Sequence, residues 1–538
     1  MIVSNDFCKL EPYCSEESIN YLKESLARLE NGTPPTPSFP LYGKRDASLL
    51  DDARDIIGKP SSLSWLPAYE QSREVKFGSQ GGVPKWADLK DNFEQYQSAN
   101  KPVKYVDPDV LREMRTRYKS LRCAMLSASE ALEHLKKTDK IETRAAGWSE
   151  FQLKKTDVAA QICALKYLKN GLWKFGYGYV FARFNKQKMR IFMPMPYSSM
   201  IGQAQYFIPF MTNIQASLLT LKDKSPYVFW SDKVGFENCF SILETELNSA
   251  GLEDDEIIVY FSNDFEKMDT RTATEQYDSI YLPVFRSAFG DSHSMDDIVR
   301  FTTTAPIISP SGTMIGDHGT ASGAELTNCG ETVINEYFQN RMLKILRERI
   351  PNAWRIITKR GNGDDSITIF AIKKSLGFAR FEETLRDVLL QVCDETGYDV
   401  QTEKLDISTE FGKYCQNVLS YDRATRKLAW CYPLTLVLNS IVNPEKEYKP
   451  RDWDKDYRDI DIIQKLDNAS RHPNYHAFVD WVMAGLKYPL LGESEADTQR
   501  ILSKYDKYRK LQSLSERYNR QDYDISSSPT VQYVLSKR

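Results

Sequence analysis

Apolar residues recur along this 538-residue chain with two different periods, and the switches between them outline its elements. Ile19, Leu22, Leu26 and Leu29 share one face of a helix, because steps of three and four residues return to the same side of a 3.6-residue turn. Gly32 supplies its stop. The stretch NGTPPTPSFPLYGKR at 31–45 has neither period and reads as an extended arm laid across another part of the molecule. Residues 120–172 are mostly helical in pattern, 176–193 change to aromatic and β-branched residues broken by bases, and from 250 to 430 strand and long-helix signals alternate. A charged, proline-containing stretch at 443–459 precedes a return to helices at 473–489 and near Ser494, where Asp497 is placed to close a capping box. There is no internal repeat and no low-complexity tract.

Three segments of the alternating region bear polar residues where the pattern breaks. WRIITKR at 354–360 and SITIF at 366–370 are strand-like and enclose Gly361, Gly363, Asp364 and Asp365, so they predict a hairpin with both acids at its tip. Ile257 to Phe261 form a buried-strand run that delivers Asp264 at its end, with Asp269 five residues on, where a helix marked by Tyr277, Ile280, Tyr281 and Val284 starts. Glycines at 312, 316, 319 and 323 make a flexible loop before a long helix whose apolar stripe runs through Leu326, Val333, Ile334, Tyr337, Phe338, Met342, Ile345 and Leu346.

Composition narrows the class. A chain this long exceeds one compact core, so several subdomains are expected, and 41% hydrophobic with 12% aromatic residues is enough to build them. The net charge of −3 carries no global basic field, so any polyanion site is local. Nine cysteines without a CxxC pair argue for reduced thiols and against a zinc ribbon. The first residues, MIVSNDFCKLEPYC, contain acids and no long apolar run, which is unlike a secretion signal. No segment approaches the roughly 20 apolar residues of a membrane span, and the expectation is a soluble intracellular protein without a membrane partner.

The candidate chemistry is anionic. Taken alone, the GDD at 363–365 reads as turn chemistry and Asp264 as a charge favoured by a helix N-terminus. Together they would form a cluster of like charges that a divalent cation relieves. Carboxylates that leave positions for phosphate and water suit Mg²⁺, and two such ions can clamp an in-line phosphoryl displacement. The glycine loop with Ser322, Thr327 and Asn328 offers amides and small polar groups to a sugar or phosphate, or else ordinary hydroxyl capping. His472 and His476 stand four apart but lack a third ligand nearby, which favours surface histidines.

The ordered set Asp264-x4-Asp269, Ser322-Gly323-x3-Thr327 and Gly363-Asp364-Asp365 resembles motifs A, B and C of viral RNA-dependent RNA polymerases. Asp264 and Ser322 lie 58 positions apart and Ser322 and Asp364 lie 42 apart, separations similar to those of that family. The TNCGE continuation of motif B and the chain length are most like the picobirnavirus polymerases of double-stranded RNA viruses. The resemblance implies an α+β right-hand fold: a palm with an antiparallel sheet (251–274 and 316–425), fingers (76–250, with 275–315 inserted), and a helical thumb with the C-terminal tail (426–538). An N-terminal strap (1–75) would close it.

By the same resemblance, Asp264, Asp364 and Asp365 hold two Mg²⁺ ions, with Mn²⁺ as the substitute, and Lys404 of motif D is the acid for the leaving pyrophosphate. Lys188 and Arg190 of motif F, with Asp269, Ser322, Gly323, Thr327 and Asn328, face the ribonucleoside triphosphate. Arg183, Ser79, Lys413 and Tyr414 face template or primer. Seven bases at 500–520 suggest a duplex-facing thumb surface or a solvated helix face, and Tyr533 is offered as a stacking platform for unprimed initiation. The family commonly has Asn four residues after the motif B threonine, paired with the second motif A acid to read the ribose. Here that position is Glu331, and Asn328 is the expected substitute. Reverse transcriptases usually have an aromatic residue in place of Asp269, whose carboxylate can instead accept a bond from a 2′-hydroxyl. The implied function is template-directed RNA synthesis by a monomer in a virion interior or host cytoplasm, with RNA and a viral capsid protein as partners. The alternatives are a reverse transcriptase-like enzyme and a catalytically silent RNA-binding core protein on the same fold.

Overall fold

The computed structural model describes residues 1–137, 145–185, 188–220, 225–265, 267–290, 293–324, 326–399, 405–445, 454–506, 508 and 525–538. A four-stranded antiparallel sheet lies at the centre, in the spatial order Asp406–Ser408, Glu256–Asp264, Asp365–Lys373 and Trp354–Asn362. Its two middle strands are apolar in both registers of a period of two, and each register has its own partner. Val259, Phe261, Phe370 and Ile372 join the main core with the helices Thr327–Arg349 and Phe378–Thr396. Ile258, Tyr260, Ile367 and Ile369 pack instead on Cys239, Phe240, Leu243 and Leu247 of the helix Phe236–Ser249.

The long helix Thr327–Arg349 departs from the single stripe expected of it. An unbroken run from Cys329 to Gln339 is buried, because the helix threads the interior instead of lying on it. Its polar side chains must therefore find internal partners, and those partners build the site described below. A second departure concerns Gly312. The strands Ile307–Ser309 and Gly312–Met314 form a hairpin flanked by Ile2–Val3 and Gly178–Tyr179, so pairing partners remote in sequence order what looked like flexible loop. Gly412–Tyr414, Asn417–Asp422 and Lys427–Cys431 form a further three-stranded antiparallel sheet.

The C-terminal helices Leu434–Val442, Lys455–Asp467, Tyr475–Gly485, Glu495–Leu502 and Pro529–Ser536 share one core with Ser48–Ile57 from the N-terminal part. The capping box of Ser494 and Asp497 forms as expected. The aperiodic arm at 31–45 has its backbone satisfied by distant segments, which explains why it carries no local period. The N–H of Thr33 donates to the carbonyl of Val83 (2.7 Å), that of Phe39 to Val442 (2.6 Å) and that of Tyr42 to Gly485 (2.8 Å). Among the described residues, no helix is long and apolar enough to cross a membrane.

Candidate active site

The acidic hairpin closes through the facing pair Asn362 and Asp365, which leaves Gly363 and Asp364 as a two-residue loop. Gly363 takes φ +61°. Glycine at the first central position gives the turn a twist that matches the flanking strands, and any side chain there would be strained. Asp364 is exposed at the tip and Asp365 is half-buried. Across the ladder from Asp365 stands Asp264, the last residue of its strand. Facing residues of an antiparallel pair have α-carbons about 4.5–5.5 Å apart, so the register unites the three expected acids.

Four polar residues of the long helix anchor this hairpin. Asn328, Thr332, Asn335 and Gln339 follow helical spacing along the side that faces it. The amide of Asn328 donates to Asn362 Oδ1 (3.0 Å), and Thr332 Oγ1 accepts from the N–H of Gly363 (2.7 Å). Asn335 Nδ2 donates to the carbonyls of Gly363 (2.9 Å) and Asp364 (3.3 Å), while Gln339 bonds both Ser366 and Thr368. Lys233 completes the base of the turn, donating to Asn362 Oδ1 (2.7 Å) and Asn328 Oδ1 (3.0 Å). Asn328, expected on the nucleotide, is thus held within this network. Thr332, Asn335, Gln339 and Lys233 escaped the reading of the sequence, although polar residues at 328, 332, 335 and 339 inside an apolar helix were a visible signal. Asn335→Ala strips the buried Gly363 carbonyl and the part-buried Asp364 carbonyl of their donor. It should lower stability by about 1–3 kcal/mol in urea unfolding, and an unchanged midpoint would show that the turn does not depend on this bond.

The residues expected to face the nucleotide lie on three segments. The glycine-rich loop packs on the helix Met268–Arg271: the N–H of Thr320 donates to the carbonyl of Asp269 (2.7 Å), and Thr320 Oγ1 to that of Thr272 (2.8 Å). On its other side it touches the end of a basic hairpin, the antiparallel pair Phe181–Asn185 and Lys188–Phe192, where Ser322 Oγ reaches the carbonyl of Ile191 (3.4 Å). A Cβ on Gly323 would come within 2.4 Å of the Met193 carbonyl, so only glycine allows that approach. Thr327 Oγ1 bonds the carbonyls of Ala321 (3.1 Å) and Ala324 (3.0 Å) and so braces the loop. Lys188 and Arg190 lie exposed on the strand Lys188–Phe192, and among the described residues Arg190 forms no ion pair. Buried Tyr96 feels both the Asp269 and the Arg190 charge, although burial itself is the main cause of its raised pKa.

Glu331 is the most perturbed carboxyl of the region. It is 5% exposed, and its Oε1 has no hydrogen-bond partner among the described residues. Burial, reinforced by the charge and contact of Asp269 and to a lesser degree by Asp364, pushes its pKa well above the ordinary carboxylate range.

The residues expected on template or primer are arranged differently. Arg183 faces Arg190 across the basic hairpin but pairs with Glu445 (3.1 Å) and stacks on Phe192, which ties this hairpin to the C-terminal part. Ser79 is exposed in the loop whose Gly81 N–H bonds the carbonyl of Phe184 (3.0 Å). Lys413 is engaged by Asp406 (2.5 Å) and lies over Tyr69 and Phe411. Tyr414 is 1% exposed and belongs to the core between the central sheet and the helix Phe236–Ser249, so it does not reach a strand passing outside. Tyr533 is docked among the C-terminal helices, stacked on His476 with its hydroxyl on Asp480 (2.9 Å). His472 is buried beside Glu70 and shares no face with His476 for a metal. Arg500 and Lys504 are paired with Asp456, and with Asp497 and Asp454 respectively. Lys404, Lys507, Arg509, Lys510, Arg517 and Arg520 lie outside the described residues.

Carboxylates are the donors that a hard divalent cation prefers, and the backbone register sets Asp264 opposite Asp365. Among the described residues no group of three acidic, cysteine or histidine side chains that could hold a metal is found.

No family model and no curated protein matches the chain. The fold, however, is that of viral RNA-dependent RNA polymerases. The crystal structure of the RNA-dependent RNA polymerase of a human picobirnavirus is similar with a TM-score of 0.76, at 15% sequence identity and covering 100% of both chains. The insertion loop deletion mutant of such a polymerase gives 0.77 at 14% identity, again over both whole chains.

Proposed function

We propose that this chain is a template-directed RNA polymerase that joins ribonucleoside triphosphates, as in replication or transcription of a viral RNA genome. The observation that carries the reading is the register that sets Asp264 opposite Asp365, beside exposed Asp364, within a polymerase fold. The central sheet and the long helix form the palm (251–274 and 316–425). Residues 76–250 and 275–315 form the fingers, 426–538 the thumb, and the N-terminal 75 residues the strap between them. Support for the strap comes from the arm at 31–45, whose backbone bonds reach both Val83 and the C-terminal helices.

Asp264, Asp364 and Asp365 would hold Mg²⁺ or Mn²⁺, which when bound activates the primer 3′-hydroxyl and offsets triphosphate charge. The chain's own residues do the rest. Arg190 and Lys188 grip phosphate oxygens, Asp269 accepts from the ribose 2′-hydroxyl, and Ser322, Gly323 and Thr327 shape the wall against the sugar. The network of Lys233, Asn328, Thr332 and Asn335 fixes the acidic turn so that little reorganisation accompanies the reaction. Lys404 is the acid that protonates the departing pyrophosphate. Base pairing with the template selects the nucleotide.

Purified protein given labelled ribonucleotides, a single-stranded RNA template and Mg²⁺ should make RNA, and chelation by EDTA should stop it. Synthesis insensitive to EDTA would reject the metal-dependent reading. Arg190→Ala should reduce kcat/KM for the triphosphate by about 10–100-fold. Arg190→Lys should recover only part of that, because an ammonium lacks the forked geometry of a guanidinium. Equal activity of the three proteins would remove Arg190 from the triphosphate site.

A further inference from the structure

Behind the acidic turn the chain places a lysine where an uncharged donor would serve the same acceptors. Two neutral amide oxygens accept from the Lys233 ammonium, Asn362 Oδ1 (2.7 Å) and Asn328 Oδ1 (3.0 Å), and the amide of Asn328 already donates to the first of them (3.0 Å). Those bonds do not by themselves call for a charge. A cation whose side chain is only 16% exposed is costly unless anions stand near it. Asp232 is one, but its carboxylate lies 3.8 Å away, beyond hydrogen-bonding distance. It also feels the buried guanidinium of Arg360, and burial pushes its pKa up to about 6 in spite of both cations. The other anions belong to the turn. Asn362 faces Asp365 across the hairpin, and facing side chains share one side of a sheet with β-carbons about 4.5–5.5 Å apart. Asn362 Nδ2 in turn donates to Cys415 Sγ (3.9 Å). That thiol, whose pKa is raised chiefly by burial, feels the charges of both Asp365 and Asp232, so the two carboxylates flank the amide on which the ammonium rests. The short helix that carries the lysine, Val228–Val234, is fixed on two sides. A Cβ on Gly361 would lie 2.0 Å from Phe229 Cζ, so that ring lies directly against the hairpin backbone, and buried Trp230 donates its Nε1 to the hydroxyl of Tyr118 (2.7 Å).

We propose that Lys233 is a built-in counter-charge for the acidic turn: it offsets the repulsion among Asp264, Asp364 and Asp365, and it weakens their grip on a divalent cation so that the ion stays exchangeable between rounds of synthesis. Lys233 is a positioning residue, touching Asn362 and acting on the acids through space. A unit positive charge within about 10 Å of a divalent cation lowers the affinity for that ion by about three- to tenfold in a polar setting. The asparagines transmit the position of the ammonium to the turn, and the rigid helix keeps the charge at a constant distance from it. The inference rests on the polymerase reading, in which the turn holds metal.

The test is direct binding of Mn²⁺ to the full chain without nucleotide or RNA, followed by the electron paramagnetic resonance signal of the unbound ion. Wild type is compared with Lys233→Gln, Lys233→Met, Lys233→Arg and Asp364→Ala. Glutamine keeps a donor and methionine does not, but both lack the charge, so each should bind Mn²⁺ about three- to tenfold more tightly than wild type. Lys233→Arg, which keeps the charge, should stay within about twofold. Asp364→Ala identifies the site and should weaken binding by about tenfold or more. A lysine that served only as a structural donor would give the opposite result, a loosened turn with weaker binding, worst in Lys233→Met. In urea without metal, Lys233→Gln should unfold at a lower midpoint than wild type, and a fixed excess of Mn²⁺ should narrow the difference, because the tighter binder gains more from the ion. Lys233→Gln decides the matter if the methionine variant does not fold. Binding by Lys233→Gln no tighter than wild type would overturn the inference, and with binding still lost in Asp364→Ala it would leave the metal site and the polymerase reading in place. Mn²⁺ binding untouched by Asp364→Ala would instead refute the turn as a metal site, and with it the reading on which the role of Lys233 stands.

Discussion

Asp364→Ala should eliminate RNA synthesis and leave the protein folded. The carboxylate sits exposed at the tip of the acidic turn, whose backbone is held by the Gly363 N–H donating to Thr332 and by Asn335 donating to the Gly363 and Asp364 carbonyls. Alanine preserves all of these backbone contacts and relieves a like-charge cluster, so unfolding should shift by no more than about 0.5 kcal/mol, as for other exposed positions. The reaction, by contrast, loses a donor from the place where charge develops, and such losses cost about 10³-fold or more, about 4 kcal/mol of barrier. Activity assays and urea unfolding on the same preparation separate the two effects. Residual synthesis above one-tenth of wild type would show that the metal-holding acids lie elsewhere.

The second large effect is on stability and arises far from the turn. Glu70, on the helix Leu66–Arg73, is 1% exposed, and its carboxylate accepts from the N–H groups of Leu434 (2.7 Å) and Thr435 (3.0 Å) and from Thr435 Oγ1 (2.6 Å). Nε2 of His472 stands 3.1 Å away, also buried. Glu70 therefore supplies the anionic partner that the first turn of Leu434–Val442 requires, and it does so from the N-terminal end of the chain. Glu70→Ala would leave two buried N–H groups, a hydroxyl and an imidazole without it. The expected loss is about 3–5 kcal/mol, seen as a lower urea midpoint and faster hydrogen exchange in Leu434–Val442 and Tyr475–Gly485. Glu70→Gln, which still presents one acceptor oxygen, should lose less. If Glu70→Ala unfolds at the wild-type midpoint, the N-terminal segment does not stabilise the C-terminal helices.

The central elements were legible because their signals are local. The continuous apolar run of 257–261, the strand-like 366–370, the glycines and acids between two strands, and a long apolar helix all declare themselves within short windows. What escaped depends on contacts between distant residues. The resemblance put Tyr414 on template or primer, but it is a core residue because the helix Phe236–Ser249 packs with it in one cluster. Arg183 has the charge of a template contact and is used to join two parts of the fold through Glu445. Lys233 had no motif around it, and only the folded arrangement brings it to the base of the acidic turn. Glu331 was visible as an odd residue at its position, but its consequence depends on burial beside Asp269.

The central claim is that the template dictates what this protein polymerises, and homopolymer templates test it most directly. With Mg²⁺ and all four ribonucleotides present, poly(U) should direct incorporation of AMP and poly(C) of GMP, each to the near exclusion of the other three, with the product in a duplex with its template. Incorporation of the same nucleotide on both templates, or none on either while the protein remains folded and binds RNA, would contradict the account.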